Sequence, residues 1–214
     1  LNAGISGTPV FCSGGNTGTA TFTPSLPSLS YQWTPSGQLT PTATGLGAGT
    51  HNVTVTDGLG CDTAMSVVIS QPSPLLITNV QANNPLCAGN ANGIATVTVN
   101  GGSPGYTYQW SANAGGQTSQ TATGLGAGNY VVTVTDAQGC TAQGSTALTS
   151  PAPIVLSAQV PDTVCVNAPA QLTAQASGGD GNITINWAGI GTGTSLLYSF
   201  PLSQTVTVTA SDGA

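Results

Sequence analysis

The chain has 214 residues and a formal charge of -6, with no Lys, Arg or Glu, six Asp and one His. With no basic side chain, phosphate neutralisation and counterion release are closed to it, which excludes nucleic acid and anionic membrane surfaces as partners. No apolar run approaches the roughly 20 residues that span a bilayer, and no basic start with an apolar stretch marks a signal peptide, so direct membrane insertion is excluded too. Charged residues make up 3% of the chain, so the surface is polar through hydroxyls and amides and salt bridges contribute nothing to folding.

Taken in chain order, short alternating segments dominate: Thr19 to Thr23 (T-A-T-F-T), Ile94 to Val99 (I-A-T-V-T-V), Tyr106 to Trp110, Tyr130 to Thr135 and Thr205 to Thr209 (T-V-T-V-T). Gly, Pro, Asn and Asp clusters bound them, which predicts half-buried strands separated by tight turns. No amphipathic helical window of useful length occurs.

The strands recur. Thr42 to Gly49 (T-A-T-G-L-G-A-G) returns unchanged at Thr121 to Gly128, and each copy runs on into V-T-V-T-D and G-C, so that Asp57 and Cys61 become Asp136 and Cys140, 79 residues later. Trp33, Trp110 and Trp187 are spaced by 77 residues, and Cys12, Cys87 and Cys165 by 75 and 78. Self-similarity at a fixed period predicts a tandem array of three units, 1–72, 73–152 and a diverged 153–214. Each unit reads as a first strand, a Cys turn, a Thr-rich strand, a third strand ending at Trp, the T-A-T-G-L strand, the V-T-V strand and a last strand. Six to seven strands with a Trp on the third predict all-β, immunoglobulin-like Greek-key sandwiches, with Trp33, Trp110 and Trp187 as core anchors. Pro72, Pro74, Pro151 and Pro153 fall between units and favour extended, semi-rigid connections, so the sandwiches are expected to stack end to end as a rod. Asp212 of the third unit matches Asp57 and Asp136, and the cysteine that follows four residues later in the other units would lie just past Ala214. The chain is therefore expected to be an internal piece of a longer secreted protein.

Cys87 to Trp110 (C-A-G-N-A-N-G-I-A-T-V-T-V-N-G-G-S-P-G-Y-T-Y-Q-W) with Gly124 to Cys140 (G-L-G-A-G-N-Y-V-V-T-V-T-D-A-Q-G-C) resembles the repeat of SprB-type gliding-motility adhesins of the Bacteroidota. The first unit keeps the Cys turn and the G-C end but has P-S-L-P-S-L-S in place of the G-G-S-P-G-Y turn. The third keeps G-G-D-G-N and Trp187, loses the G-L-G-A-G element, and looks more like a PKD-like or other Ig-like module. The resemblance implies a very long extracellular chain, exported by type IX secretion and displayed at the cell surface. Its partners would be neighbouring repeats of the same chain, with surface polysaccharide or other surface proteins as adhesion targets. Two other classes remain beside this stalk reading: a subunit of an extracellular surface filament built by pairing of unguarded strand edges, and a carbohydrate-binding module of a secreted protein.

Chemistry is sparse. One His and dispersed cysteines form no zinc set, so Cys12, Cys61, Cys87, Cys140 and Cys165 are read as disulfide candidates in an oxidising exterior. Pairing within units, Cys12 to Cys61 and Cys87 to Cys140, would be worth about 4 kcal/mol each by loop entropy. Greek-key order puts the first turn and the last hairpin at opposite ends, however, and stacking would then bring Cys12 to Cys140 and leave Cys87 for a cysteine beyond the chain end. Both schemes stand on the sequence.

Asp57 and Asp136 open D-x-x-G turns and are read as turn caps, since calcium needs six to eight oxygens and only Asp62 lies near. No metal, cofactor or catalytic residue is expected: the Asp residues are never closely paired, and His51 stands where the second unit has Tyr130, as a packing ring at a strand entrance. Asp62-Thr63-Ala64 and Asp162-Thr163-Val164 look like the D-S/T-aliphatic O-glycosylation acceptor of Bacteroidota, which makes Thr63 and Thr163 candidate surface acceptors at strand ends.

Overall fold

The computed structural model describes residues 3–24, 29–161 and 163–213. Within them the chain forms eighteen strands and one short 3-10 turn, Ala112–Ala114. The first sandwich comprises β1 (Gly4–Thr8), β2 (Gly18–Thr23), β3 (Ser30–Thr34), β4 (Thr42–Leu46), β5 (Gly49–Thr56) and β6 (Asp62–Ile69). The second comprises β7 (Leu76–Asn83), β8 (Gly93–Asn100), β9 (Thr107–Trp110), β10 (Thr121–Leu125), β11 (Gly128–Thr135) and β12 (Thr141–Leu148). The third comprises β13 (Ala152–Gln159), β14 (Pro169–Gly179), β15 (Thr184–Trp187), β16 (Gly191–Thr192), β17 (Ser195–Ser199) and β18 (Val208–Ser211).

Each sandwich pairs two three-stranded antiparallel sheets. The orders are β1-β2-β4 against β3-β5-β6, β7-β8-β10 against β9-β11-β12, and β13-β14-β17 against β16-β15-β18. Registers repeat with the sequence: Gly49 faces Ile69 and Thr56 faces Asp62, as Gly128 faces Leu148 and Thr135 faces Thr141. Strand β18 begins at Val208, three residues later than the T-V-T-V-T alternation suggests, because its partner β15 has four residues and their ladder starts at Val208 opposite Trp187.

Period-two alternation puts one face of every strand inward. The first core gathers Phe22, Trp33, Val53, Val55 and Ile69, and the second Val97, Trp110, Leu125, Val132 and Leu148. The third is thinner, with Leu172, Ala174, Ile185 and Trp187 fully enclosed. Each fully buried aliphatic or Phe contributes about 1.5–3 kcal/mol, which in a chain without ion pairs is the main source of stability. The three Trp side chains are the largest buried groups, and each indole N–H donates to a backbone carbonyl at 2.9 Å, on Thr40, Ser119 and Gly193 respectively. Burying a Trp with its N–H satisfied avoids the desolvation cost of an orphaned donor.

Candidate functional site

The chemistry of the chain concentrates where one sandwich meets the next. Strand β6 returns the chain to the end of the first sandwich that holds its first turn, where the Val10 N–H donates to the Ser70 carbonyl at 3.0 Å and the Gly14 N–H to Gln71 Oε1 at 2.9 Å. From there Pro72-Ser73-Pro74 leads into β7. The Gly102 N–H donates to the Ser73 carbonyl at 2.9 Å, so the linker docks on the turn between β8 and β9. Gly101 has φ of 75°, and a Cβ on it would stand 2.0 Å from the Pro74 carbonyl oxygen. The same close approach recurs at the next linker, where a Cβ on Gly178 would stand 2.1 Å from the Pro153 carbonyl oxygen.

Asp136 ties that turn to the β11–β12 hairpin. Its Oδ1 accepts from Gln138 N–H at 2.9 Å and Cys140 N–H at 2.8 Å, while its Oδ2 accepts from Ser103 N–H at 2.9 Å. The side chain is buried. The Ser103 N–H, above all, holds its carboxyl below the ordinary value of 3.8; burial opposes this, and the Cys140, Gln138 and Gly139 amides add to it. Asp57 caps its own hairpin alike, accepting from Leu59 and Cys61 N–H at 2.9 Å each. The P-S-L-P-S-L-S segment that faces it in sequence lies largely outside the described residues, at 25–28.

The hairpin so fixed carries Cys140, which is bonded to Cys12 with their Cα atoms 5.7 Å apart. An open groove of about 360 Å³ flanks the bond, lined by Ser13, Pro74, Leu75, Gly139 and Thr141 as well as the two cysteines. Pairing within units is thereby overturned for Cys12 with Cys61 and for Cys87 with Cys140. The first turn and the hairpin of one sandwich lie at opposite ends of strands of eight residues, about 27 Å at 3.4 Å per residue, where a disulfide needs Cα atoms within about 7 Å. Cys61 and Cys165 are free and exposed, and Cys87 is free and half-buried.

The acceptor threonines part company. Thr63 is half-buried, pairs with the core residue Val55, and shares its face of β6 with Met65 and Val67, which pack on the core. That corrects the expectation of a surface position for it, because strand parity turns Asp62 and Ala64 outward instead. Thr163 is exposed, and Asp162 before it lies outside the described residues. His51 is buried, and its Nε2 lies 3.0 Å from the Gly47 carbonyl, as the Tyr130 hydroxyl donates to the Gly126 carbonyl at 3.0 Å. His51 Nδ1 is buried without a hydrogen-bond partner. Among the described residues no three His, Cys, Asp or Glu side chains converge on a metal position, and no helix is long and apolar enough to cross a membrane.

Sequence reasoning missed the Gly101-Gly102-Ser103 turn as the linker's dock. The signal was present in the recurrence of Gly-Gly 77 residues later at Gly178-Gly179, where Asp212 takes the part of Asp136 against the second glycine.

Residues 79–115 match the SprB repeat. They run from β7 through the first turn and the Gly-Gly dock to just past Trp110, so the matched stretch holds Cys87, part or all of an edge strand from each sheet, and the core anchor of the second sandwich. No curated protein sequence matches the chain. Among solved structures it is similar to Drosophila OTK extracellular domains 3-5, at 14% identity over 87% of this chain and 79% of that one, with a TM-score of 0.28. It is similar also to murine CEACAM1b, at 14% identity over 69% of this chain and 100% of that one, TM-score 0.28. The N-terminal eight Ig domains of DSCAM isoform 1.30.30 match at 17% identity over 95% of this chain and 38% of that one, TM-score 0.25. Scores of this size carry no argument, and the Ig-like sandwich assignment rests on the strand pairing above. The SprB repeat match falls within the second of three tandem sandwiches, and the two observations together make this a repeat-containing, all-β chain.

Proposed function

We propose that the chain is a stretch of the repetitive stalk of a very large secreted cell-surface adhesin, of the gliding-motility kind to which SprB repeats belong, exported by type IX secretion. The observation that carries this reading is the joint between the first two sandwiches. There a proline linker docks on a Gly-Gly turn, and a disulfide, Cys12 to Cys140, lies beside it across the groove that Pro74 and Leu75 line. Two attachments on one interface resist bending better than a linker alone, and the second linker repeats the glycine dock at Gly178. The disulfide suits an oxidising exterior. Thr163 is the accessible O-glycan acceptor, and a glycan there would hydrate a surface with no Lys to guard its strand edges.

The size of the native polypeptide tests the stalk. An antibody blot of cells dissolved in denaturant and reductant should show a band of many hundreds of kilodaltons, and protease treatment of intact cells should remove it. A band of tens of kilodaltons sinks the single-chain stalk, and a band protected in intact cells sinks the surface location.

A further inference from the structure

The dock of the first linker carries a slow chemistry of its own. We infer that Asn100 is a site of spontaneous deamidation and isoaspartate formation, which releases the linker from the Gly101-Gly102 turn. Two Asn-Gly pairs occur in the chain, Asn92-Gly93 and Asn100-Gly101. In such a pair the backbone nitrogen of the glycine is the nucleophile that attacks the asparagine carboxamide, and with no Cβ beside it that nitrogen approaches closely.

The fold treats the two pairs oppositely. Asn100 ends β8 and is exposed. The Gly101 N–H donates to Oδ1 of Asn100 itself at 2.8 Å, so the attacking nitrogen lies beside Cγ, the carbon that carries this oxygen. Among the described residues no backbone carbonyl accepts from that N–H. Intramolecular attack gains most when the reacting atoms are held about 3–3.5 Å apart, and the hydrogen bond keeps them close to that separation. At Asn92 the carboxamide oxygen accepts instead from the Leu86 N–H at 3.2 Å, across the first turn, and Gly93 is buried in β8 opposite Leu125. A Cβ on Gly93 would stand 2.5 Å from Leu148 Cδ2 and 2.8 Å from the Leu125 carbonyl oxygen, so the main chain there has no room to bend into a ring. The third sandwich has Ser177 where the second has Asn100, so the dock at Gly178 lacks the reacting group.

The Gly101 nitrogen gives up its proton to hydroxide and bonds Asn100 Cγ, the Cγ–Nδ2 bond breaks, and the amide nitrogen takes a proton from water and leaves as ammonia. Water then opens the cyclic imide at one of its two carbonyls. Cleavage between the Gly101 nitrogen and Cγ restores the ordinary main chain, with an aspartate at residue 100. Cleavage between that nitrogen and the main-chain carbonyl carbon leaves the chain running through Cβ and Cγ, an isoaspartate one atom longer. One water is consumed and one ammonia released, and nothing is oxidised or reduced.

Only the second product disturbs the dock. An aspartate accepts from the Gly101 N–H as the asparagine did, and the turn keeps its place. The isoaspartate displaces Gly101 and Gly102 against β8, where the Pro74 carbonyl oxygen lies 2.0 Å from the position of a Gly101 Cβ and the Gly102 N–H bonds the Ser73 carbonyl at 2.9 Å. A shift of one main-chain atom breaks both contacts and leaves Cys12–Cys140 to hold the first joint. That joint therefore loosens with age while the second does not. The reaction needs only water, so it stands or falls independently of the stalk reading.

The test uses the full chain, held at mildly alkaline pH with its disulfide intact and sampled over time. Its digest is mapped by electron-transfer fragmentation, which tells isoaspartate from aspartate. Isoaspartate is expected to accumulate at residue 100 at least about tenfold faster than at residue 92 in the folded chain, and at similar rates once the chain is reduced and denatured. Equal rates in the folded chain, or residue 92 the faster, overturn the proposal. A preference that persists in the denatured chain overturns it too, because the fold then has no part in it. The aged fraction carrying isoaspartate at residue 100 should exchange the Gly102 amide faster than fresh protein, whereas Asn100→Asp keeps the parent rate. An isoaspartate fraction with the parent rate at Gly102 sinks the release of the linker. Asn100→Gln, which closes a ring far more slowly, should hold the Gly102 rate constant through the same ageing, and a rise there would assign the loosening to another residue.

Discussion

The carbonyl oxygen of Pro74 lies where Gly101 would need a side chain, 2.0 Å from the position of a Cβ. The linker between the first two sandwiches is thus seated against bare backbone. Any side chain at residue 101 must push out either the linker or the turn that Asp136 holds.

Gly101→Ala is therefore expected to cost more than its left-handed φ alone, which accounts for about 1–2 kcal/mol. Gly14→Ala is the control, since Gly14 has φ of 74° and open space around its missing Cβ. Chemical denaturation of both variants should show the larger loss at Gly101, together with faster amide exchange at Gly102, whose N–H bonds the linker. Equal losses would mean that the linker does not dock in solution.

Removing the disulfide by Cys140→Ser should loosen the first joint and no other. Closing a chain separation of 128 residues is worth at most about 5 kcal/mol in loop entropy, so a measurable fall in the unfolding midpoint is expected. Energy transfer between dyes on the first and second sandwiches, attached without thiol chemistry, should report a broader distance distribution. The distribution between the second and third should stay as it was. An unchanged first distribution would show that the linker alone sets the joint.

His51→Tyr should stabilise the first sandwich. It copies the second, where the Tyr130 hydroxyl donates to the carbonyl four residues back at 3.0 Å, and it removes the orphaned His51 Nδ1. An unsatisfied buried polar atom costs about 1–3 kcal/mol, so a gain near the lower end is expected in thermal unfolding. A loss would mean that the first core has no room for the larger ring.

Asp136 makes the second sandwich sensitive to acid. Its folded value lies below the ordinary 3.8, led by the Ser103 hydrogen bond, so its contribution is fully present above the unfolded value near 3.9 and fades as pH falls through the lower folded one. Asp136→Asn should therefore be less stable than the parent at pH 7, with the two melting curves converging below about pH 4. Curves that keep a constant separation down to pH 2 would remove this carboxylate from the account.

Much of the architecture was legible without coordinates, and for local reasons. Alternation within T-V-T-V-type segments dictates which side chains turn inward, and Trp33, Trp110 and Trp187 fill the three cores in the same way because their strands repeat in register. The Asp57 and Asp136 caps were legible for the same reason, since a D-x-x-G turn is closed by its own residues. Thr63 was misplaced because its motif overlaps a strand, whose parity against Val55 overrides the expectation of a surface acceptor.

What the amino-acid order determined by itself was the repeating unit: strands, turns, the core face and the spacing of the cysteines, all set within a few residues of each position. Only the tertiary structure decided which cysteine meets which, and that Gly101 and Gly178 receive the linkers. The reason is distance. The two cysteines of one unit are separated by the length of its strands, while those of successive units become neighbours only once the sandwiches have stacked, a relation that sequence spacing does not carry.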